Sequence, residues 1–193
     1  MLSSANIRAM SVEQFGAMGT AQIVALTTEQ VAGLSTGNIS AMTSDQVGAL
    51  ETRDVQALTS SSIRAFDTAQ FASLGTAQIV ALTTDQVASL STGNIIALTS
   101  DQVSALETAD VQALTSTNIR ALNSEQVSSL GTAQIVALSS EQVYGLSSDN
   151  VYALTTAQVV ALESQDLQAL KASNVQAMSS AQVSVLLSSQ LAA

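Results

Sequence analysis

The chain has no cysteine, histidine, proline or tryptophan in 193 residues, and only 10% of it is charged. Without cysteine or histidine it can build no disulfide framework, no zinc or haem site of the usual ligation and no ordinary catalytic triad. Basic residues are scarce as well, five against fifteen acids, which leaves a net charge of −10. Such a chain repels phosphate backbones and anionic lipid, so nucleic acid and anionic membrane surfaces are poor partners. Long apolar runs are also missing. Polar residues recur every few positions, so no membrane insertion is expected. The acids are scattered and lack the glycine-rich loop spacing of calcium-binding repeats. Serines and threonines are plentiful, but none has a histidine or another plausible base beside it. No residue is therefore assigned to catalysis, to a cofactor or to a metal, and the chain is not expected to be an enzyme.

What is present is a repeat of eight residues. Counted from Ser3, the chain reads SSANIRAM, SVEQFGAM, GTAQIVAL, TTEQVAGL and onward without insertion, giving 23 complete octads and one of seven residues. Position five is always Val, Ile, Leu or Phe. Position eight is Leu or Met, with Phe66 the one aromatic. Position seven is Ala in 18 of 24 octads, which reads as a close-contact position. Position two is Ser or Thr in 22 octads and position four is Gln or Asn in 20, so each octad meets nearly the same surroundings as its neighbours. A longer period lies over the first. GTAQIVAL recurs at 19, 75 and 131, and ETRDVQAL at 51 returns as ETADVQAL at 107 and ESQDLQAL at 163, a spacing of seven octads. The simplest reading is duplication of a seven-octad block. Because seven is odd, either the octads are interchangeable or a coil does not contain two of them.

An unbroken α-helix cannot use this pattern, because eight residues overshoot two turns by about 80° and the apolar stripe winds around the rod. Each octad is therefore read as a short helix followed by a break. The preferred frame takes the Ser or Thr of position two as N-cap, positions three to eight as helix and position one as hinge. Gly19, Gly75 and Gly131 then sit at the hinge, where a left-handed C-terminal residue is tolerated. The other frame puts the N-cap at position one. Thr27 with Gln30 and Thr99 with Gln102 then make capping boxes, and Leu26 with Val31 makes a hydrophobic staple. Position two is preferred because position one offers Ser, Thr, Asp or Asn in only 16 octads. A β-solenoid is the competing architecture. Ala, Leu and Gln at fixed positions argue against it, as do nine glycines and no proline for some 24 turns.

The expected fold is thus all-α, a solenoid of short capped helices spanning residues 1–193 as one array. No octad can bury enough to stand alone, so successive helices must stack Val and Leu into an inner spine, with Ala letting backbones approach. The Gln and Asn row makes either an amide ladder or a solvated face. Asn38-Ile39-Ser40 matches a glycosylation acceptor. Neighbouring hydroxyls could present a regular array to ice or glycans. Tyr144 and Tyr152, with Val24, Val80, Ile96, Val136 and Val160, share position six and give a partly apolar outer surface fit for lateral contact.

The runs TAQIVALTTDQVASL and TSDQVSALETADVQAL resemble the repeat tracts of very large bacterial secreted or surface proteins, described as adhesion or haem-utilisation exoproteins. The resemblance covers the whole chain. It implies an extracellular or cell-surface spacer or adhesive stalk, and it carries over no haem site, because the usual ligands are missing. The functional expectation is a structural repeat module, with a binding module for glycan, ice or protein as the alternative. Met1 and Leu2 already stand in repeat phase, and Ala193 ends at position seven. The stretch therefore reads as cut from a longer array, with no signal peptide in it. Uncapped ends predict head-to-tail self-association, with Ile7 and Met10 offered at one end and Leu186, Leu187 and Leu191 at the other.

Overall fold

The computed structural model describes residues 2–191. Met1, Ala192 and Ala193, including the repeat phase read at the two extreme residues, lie outside the described residues. Among the described residues there are 24 helices and no strand, one helix per octad, from α1 (Ser4–Arg8) to α24 (Ser188–Leu191). The helical solenoid is the architecture, and the β-solenoid alternative falls away.

Every helix starts at position two, so the N-cap is position one and the preferred frame is off by one residue. In α6 (Ser44–Gly48), Thr43 is extended at φ −78° and ψ 161°, and its hydroxyl accepts the Gln46 N–H. Gln46 reciprocates by accepting the Thr43 N–H at 2.7 Å, a capping box. Two adjacent Ser/Thr positions made the frames look alike. What separates them is the amide at position four, which falls on N3 of the helix only if position one is the cap. The glycine reading is corrected with it. Gly19, Gly75 and Gly131 are N-caps in extended backbone, and no described residue has a positive φ. Glycine is acceptable there because an N-cap glycine costs only a few tenths of a kcal/mol against Ser or Thr.

Each helix lasts five or six residues, apart from the four of the last, and the chain then runs extended through the junction, as at Leu98 with φ −60° and ψ 135°. A turn and a half of helix cannot persist in water by itself. Its support comes from the turns before and after. The chain divides into two compact units, residues 1–98 and 99–193. In the first, α2 (Val12–Gly16) packs on α5 (Thr36–Ala41), and α4 (Thr28–Ala32) on α7 (Thr52–Ala57). In the second, α15 (Ser116–Ala121) packs on α18 (Ser140–Gly145), and α19 (Ser148–Ala153) on α22 (Ala172–Ala177). Hydrogen bonds between turns join residues 25 to 31 apart, centred on 28, so within each unit one superhelical turn holds three and a half octads. The coil therefore does not contain two octads, which is one of the two alternatives the odd block length left open.

Positions five and eight form the inner spine of each unit. Ile39, Val47, Ile95, Val103 and Val159 are fully buried, and Leu58, Leu98, Leu146 and Leu162 nearly so. Position five faces the following turn, which gives the spine a direction. In the first turn Ile7 and Phe15 are buried, whereas in the last Val175 and Val183 are half exposed. The expectation that Ile7 is offered at the first end is therefore corrected: the second turn already covers it. That end instead exposes Leu2, Val12 and the position-four amides Asn6, Gln14 and Gln22.

Candidate functional site

The position-four side chains form the most ordered polar feature of the molecule. From Gln30 onward they are buried at almost every octad, and their amides do not form a ladder with one another. Each spans two turns. Gln70 accepts the Asp67 N–H through Oε1 at 2.8 Å, and through Nε2 donates to the carbonyls of Ile39 at 3.0 Å and Met42 at 2.6 Å. Gln78, Gln86, Gln134, Gln142, Gln158 and Gln182 repeat the pattern, each reaching carbonyls 28 and 31 residues back. The shorter asparagines reach one of the two, as Asn150 does at Leu122 and Asn174 at Leu146. One amide thus completes a capping box, satisfies the position-eight carbonyl that the short helix leaves open, and adds a second donor to the position-five carbonyl, which already accepts the position-eight N–H. Asn38 belongs to this set. It is buried with its amide engaged, which removes it as a glycosylation acceptor.

Four octads break the rule, one with Ser62 and three with Asp54, Asp110 and Asp166, the acids all buried and each seven octads from the next. A carboxylate has no donor for the carbonyls below. It accepts instead. The Thr28 hydroxyl donates to Asp54 at 2.7 Å, and the Ser140 hydroxyl to Asp166 at 2.8 Å. One oxygen of Asp54 is left buried without a partner. Burial raises the pKa of the Asp166 carboxyl above the ordinary value, and the charge of Glu163 adds to this. The Ser140 hydroxyl and the Glu163 N–H pull the other way. Position two, taken from sequence as the cap, thus holds hydroxyls that reach forward to the next turn. Ser164, which donates to the Ser189 carbonyl at 2.9 Å, is a further case.

The outer face carries position six. Val24, Val80 and Ile96 in the first unit are exposed there, as are Val136, Tyr144, Tyr152 and Val160 in the second. Lys171 lies over the Tyr144 ring, its Nζ 4.5 Å from the centroid. That approach was not legible from sequence, because the two stand in octads far apart along the chain and the length of a turn was unknown. Among the described residues no three His, Cys, Asp or Glu side chains gather closely enough to hold a metal ion. No helix there is long and apolar enough to cross a membrane.

Short capped helices, an amide spine and repetition from end to end define a structural repeat module of the helical-solenoid class. The chain belongs to the ALTTAQ repeat family, whose model matches residues 1–28, 24–52, 47–84, 80–108, 103–140, 128–156, 135–164 and 159–193, and so covers the whole length. Several of those segments are one superhelical turn long. No curated protein matches the chain.

Proposed function

We propose that this array is a non-catalytic spacer or stalk of a secreted or cell-surface protein, one that gains length by adding turns. The observation that carries the reading is the fate of the polar side chains. The buried amides of position four are spent on backbone groups of their own and the preceding turn, and most position-one hydroxyls on N-caps, so few are left for chemistry. The secreted or surface setting rests on the resemblance to exoprotein repeat tracts, while membership of the repeat family supports the repeat tract itself. Insertion of a second copy of residues 75–130 tests the spacer role by small-angle scattering. The maximum dimension should grow by a fixed increment at constant cross-section, and a wider particle of unchanged length would overturn the reading.

The two faces also favour end-to-end association of copies. The first turn exposes the amides Asn6, Gln14 and Gln22, whose counterparts in later turns donate to carbonyls of a preceding turn. The last turn exposes Val175, Val183 and Leu191, whose position-five counterparts are covered by a following one, and beside them Leu187 at the outward position one. A second copy supplies what each face lacks, by a heterologous contact that need not close. Light scattering across a concentration series should show growth, and Leu187→Glu with Leu191→Glu should abolish it. A strictly monomeric unmodified chain at millimolar concentration would rule the association out.

A further inference from the structure

A repeat array provides its own background, so a site stands out where one locus departs from its equivalents seven octads away. Arg120 has such equivalents in Arg64 and Arg8, and is part of the block. Tyr144 and Lys171 are not. Their equivalents are Ala88 and Ala32 for the tyrosine, and Thr115 and Thr59 for the lysine. Both departures meet on one surface of the second unit. Lys171 sits over Tyr144, and together with Arg120, Ser116, Thr117 and Gly145 they line an open groove of about 190 Å³. Gly145 seats this groove tightly. A Cβ there would lie 2.8 Å from the Ser116 carbonyl oxygen, so α18 rests directly on α15.

Lys171 occupies its place at a cost to the helix. It stands at the N-cap of α22, which has no side-chain cap hydrogen bond, and the next residue, Ala172, is one of two without a hydroxyl at position two. Local rules broken together, with the contact to Tyr144 as the local return, mark a functional locus rather than a structural one. The chemistry of the groove is specific. Two of the five basic residues of a chain with net charge −10 line it, and no acid does. Arginine offers a planar fork that matches a carboxylate, Tyr144 leaves more than half of its surface open, at 57% exposure, and the two hydroxyls can pair with hydroxyl groups. The acidic surroundings repel an extended polyanion, so the occupant carries a single charge.

We propose that the Arg120, Tyr144 and Lys171 groove binds a carboxylated sugar, its carboxylate between the two cations and a face of its ring on Tyr144. Tyr152 is the internal control. It occupies position six of the next octad, but its groove is lined by Glu125 and holds no cation.

The test is an NMR titration of the whole chain with glucuronate, with glucose and a glutamate-containing peptide in parallel arms. Glucuronate should shift the Tyr144 ring resonances saturably, and glucose should not. Arg120→Ala and Lys171→Ala should each weaken binding roughly tenfold or more, as expected for loss of a charged hydrogen bond, and Tyr152→Ala should leave it unchanged. Lys171→Ser should lose binding while raising the melting temperature, because it restores a cap, which separates recognition from folding. No response to glucuronate, or a response that survives both cation substitutions, would overturn the proposal. Binding of the peptide alone would overturn it in favour of a protein partner.

Discussion

At Gln70 the two ends of one amide serve different turns, the oxygen its own helix and the nitrogen the helix ends 28 and 31 residues back. Replacing it by Leu removes the acceptor of the Asp67 N–H and leaves the buried Met42 carbonyl unsatisfied, at a cost of about 1–3 kcal/mol, while the Ile39 carbonyl keeps the Met42 N–H. Chemical denaturation of Gln70→Leu should therefore show a loss well above that of an average surface change. Asp166 presents the opposite case. Its carboxyl pKa is raised in the folded chain, so folding is favoured by protonation. Its contribution is most favourable below the ordinary value of 3.8 and declines as pH rises through the raised folded value. Asp166→Asn should abolish that part of the pH dependence and add a donor of the kind Asn150 and Asn174 supply. Melts from pH 3 to pH 7 should show the variant stabilised relative to the natural chain at neutral pH, by a margin that shrinks toward pH 3; a destabilised variant would mean that the Ser140 and Glu163 hydrogen bonds outweigh the burial of charge.

Within one element, the decision between two caps is a matter of which hydroxyl accepts an N–H. Thr43 does, so Thr43→Ala should cost about 0.5–2 kcal/mol, whereas Ser44→Ala should cost less. Denaturant midpoints of the pair would decide it, and the reverse order would return the cap to position two. Helix, break and the buried positions five and eight were legible in the octads, because their burial and the need for a cap act within a few residues; the burial of position four was not. The frame was not, since Ser and Thr at both positions satisfy the same local preference. The use of the amides was legible only in half: their place in the capping box could be read, and their second bond could not, because it depends on the turn. For the same reason Tyr144 was singled out on its exposed position, while Lys171 and Arg120 were left unconnected to it.

For the whole chain the controlling length is the turn of three and a half octads, and the side chains at its contacts are nearly interchangeable. Position two is Ser or Thr in 22 of 24 octads, so a position-four residue shifted by one octad still meets a hydroxyl. Deletion of residues 155–162 should therefore leave the circular dichroism per residue unchanged while moving Lys171 away from Tyr144 and abolishing the proposed groove. Deletion of 159–162 alone should collapse the second unit, since half an octad puts an apolar residue where an amide must stand. A helical spectrum after the four-residue deletion would contradict the register described above.

The stagger of half an octad per turn also bears on how such an array can be inherited. One turn is not a whole number of octads, and two turns, which make seven octads, are the shortest stretch that is whole in both. A genetic exchange that adds or removes any other number of octads gives a chain that folds but whose surface neighbours are reshuffled across the join. Exchange in steps of seven copies the surface along with the core. The recurrence of GTAQIVAL, of the paired acids at 51 and 54, 107 and 110, and 163 and 166, and of arginine at 8, 64 and 120 is the record expected of copying in that step. A lineage growing this way can then alter single copies, as at Tyr144 and Lys171, without disturbing the rest.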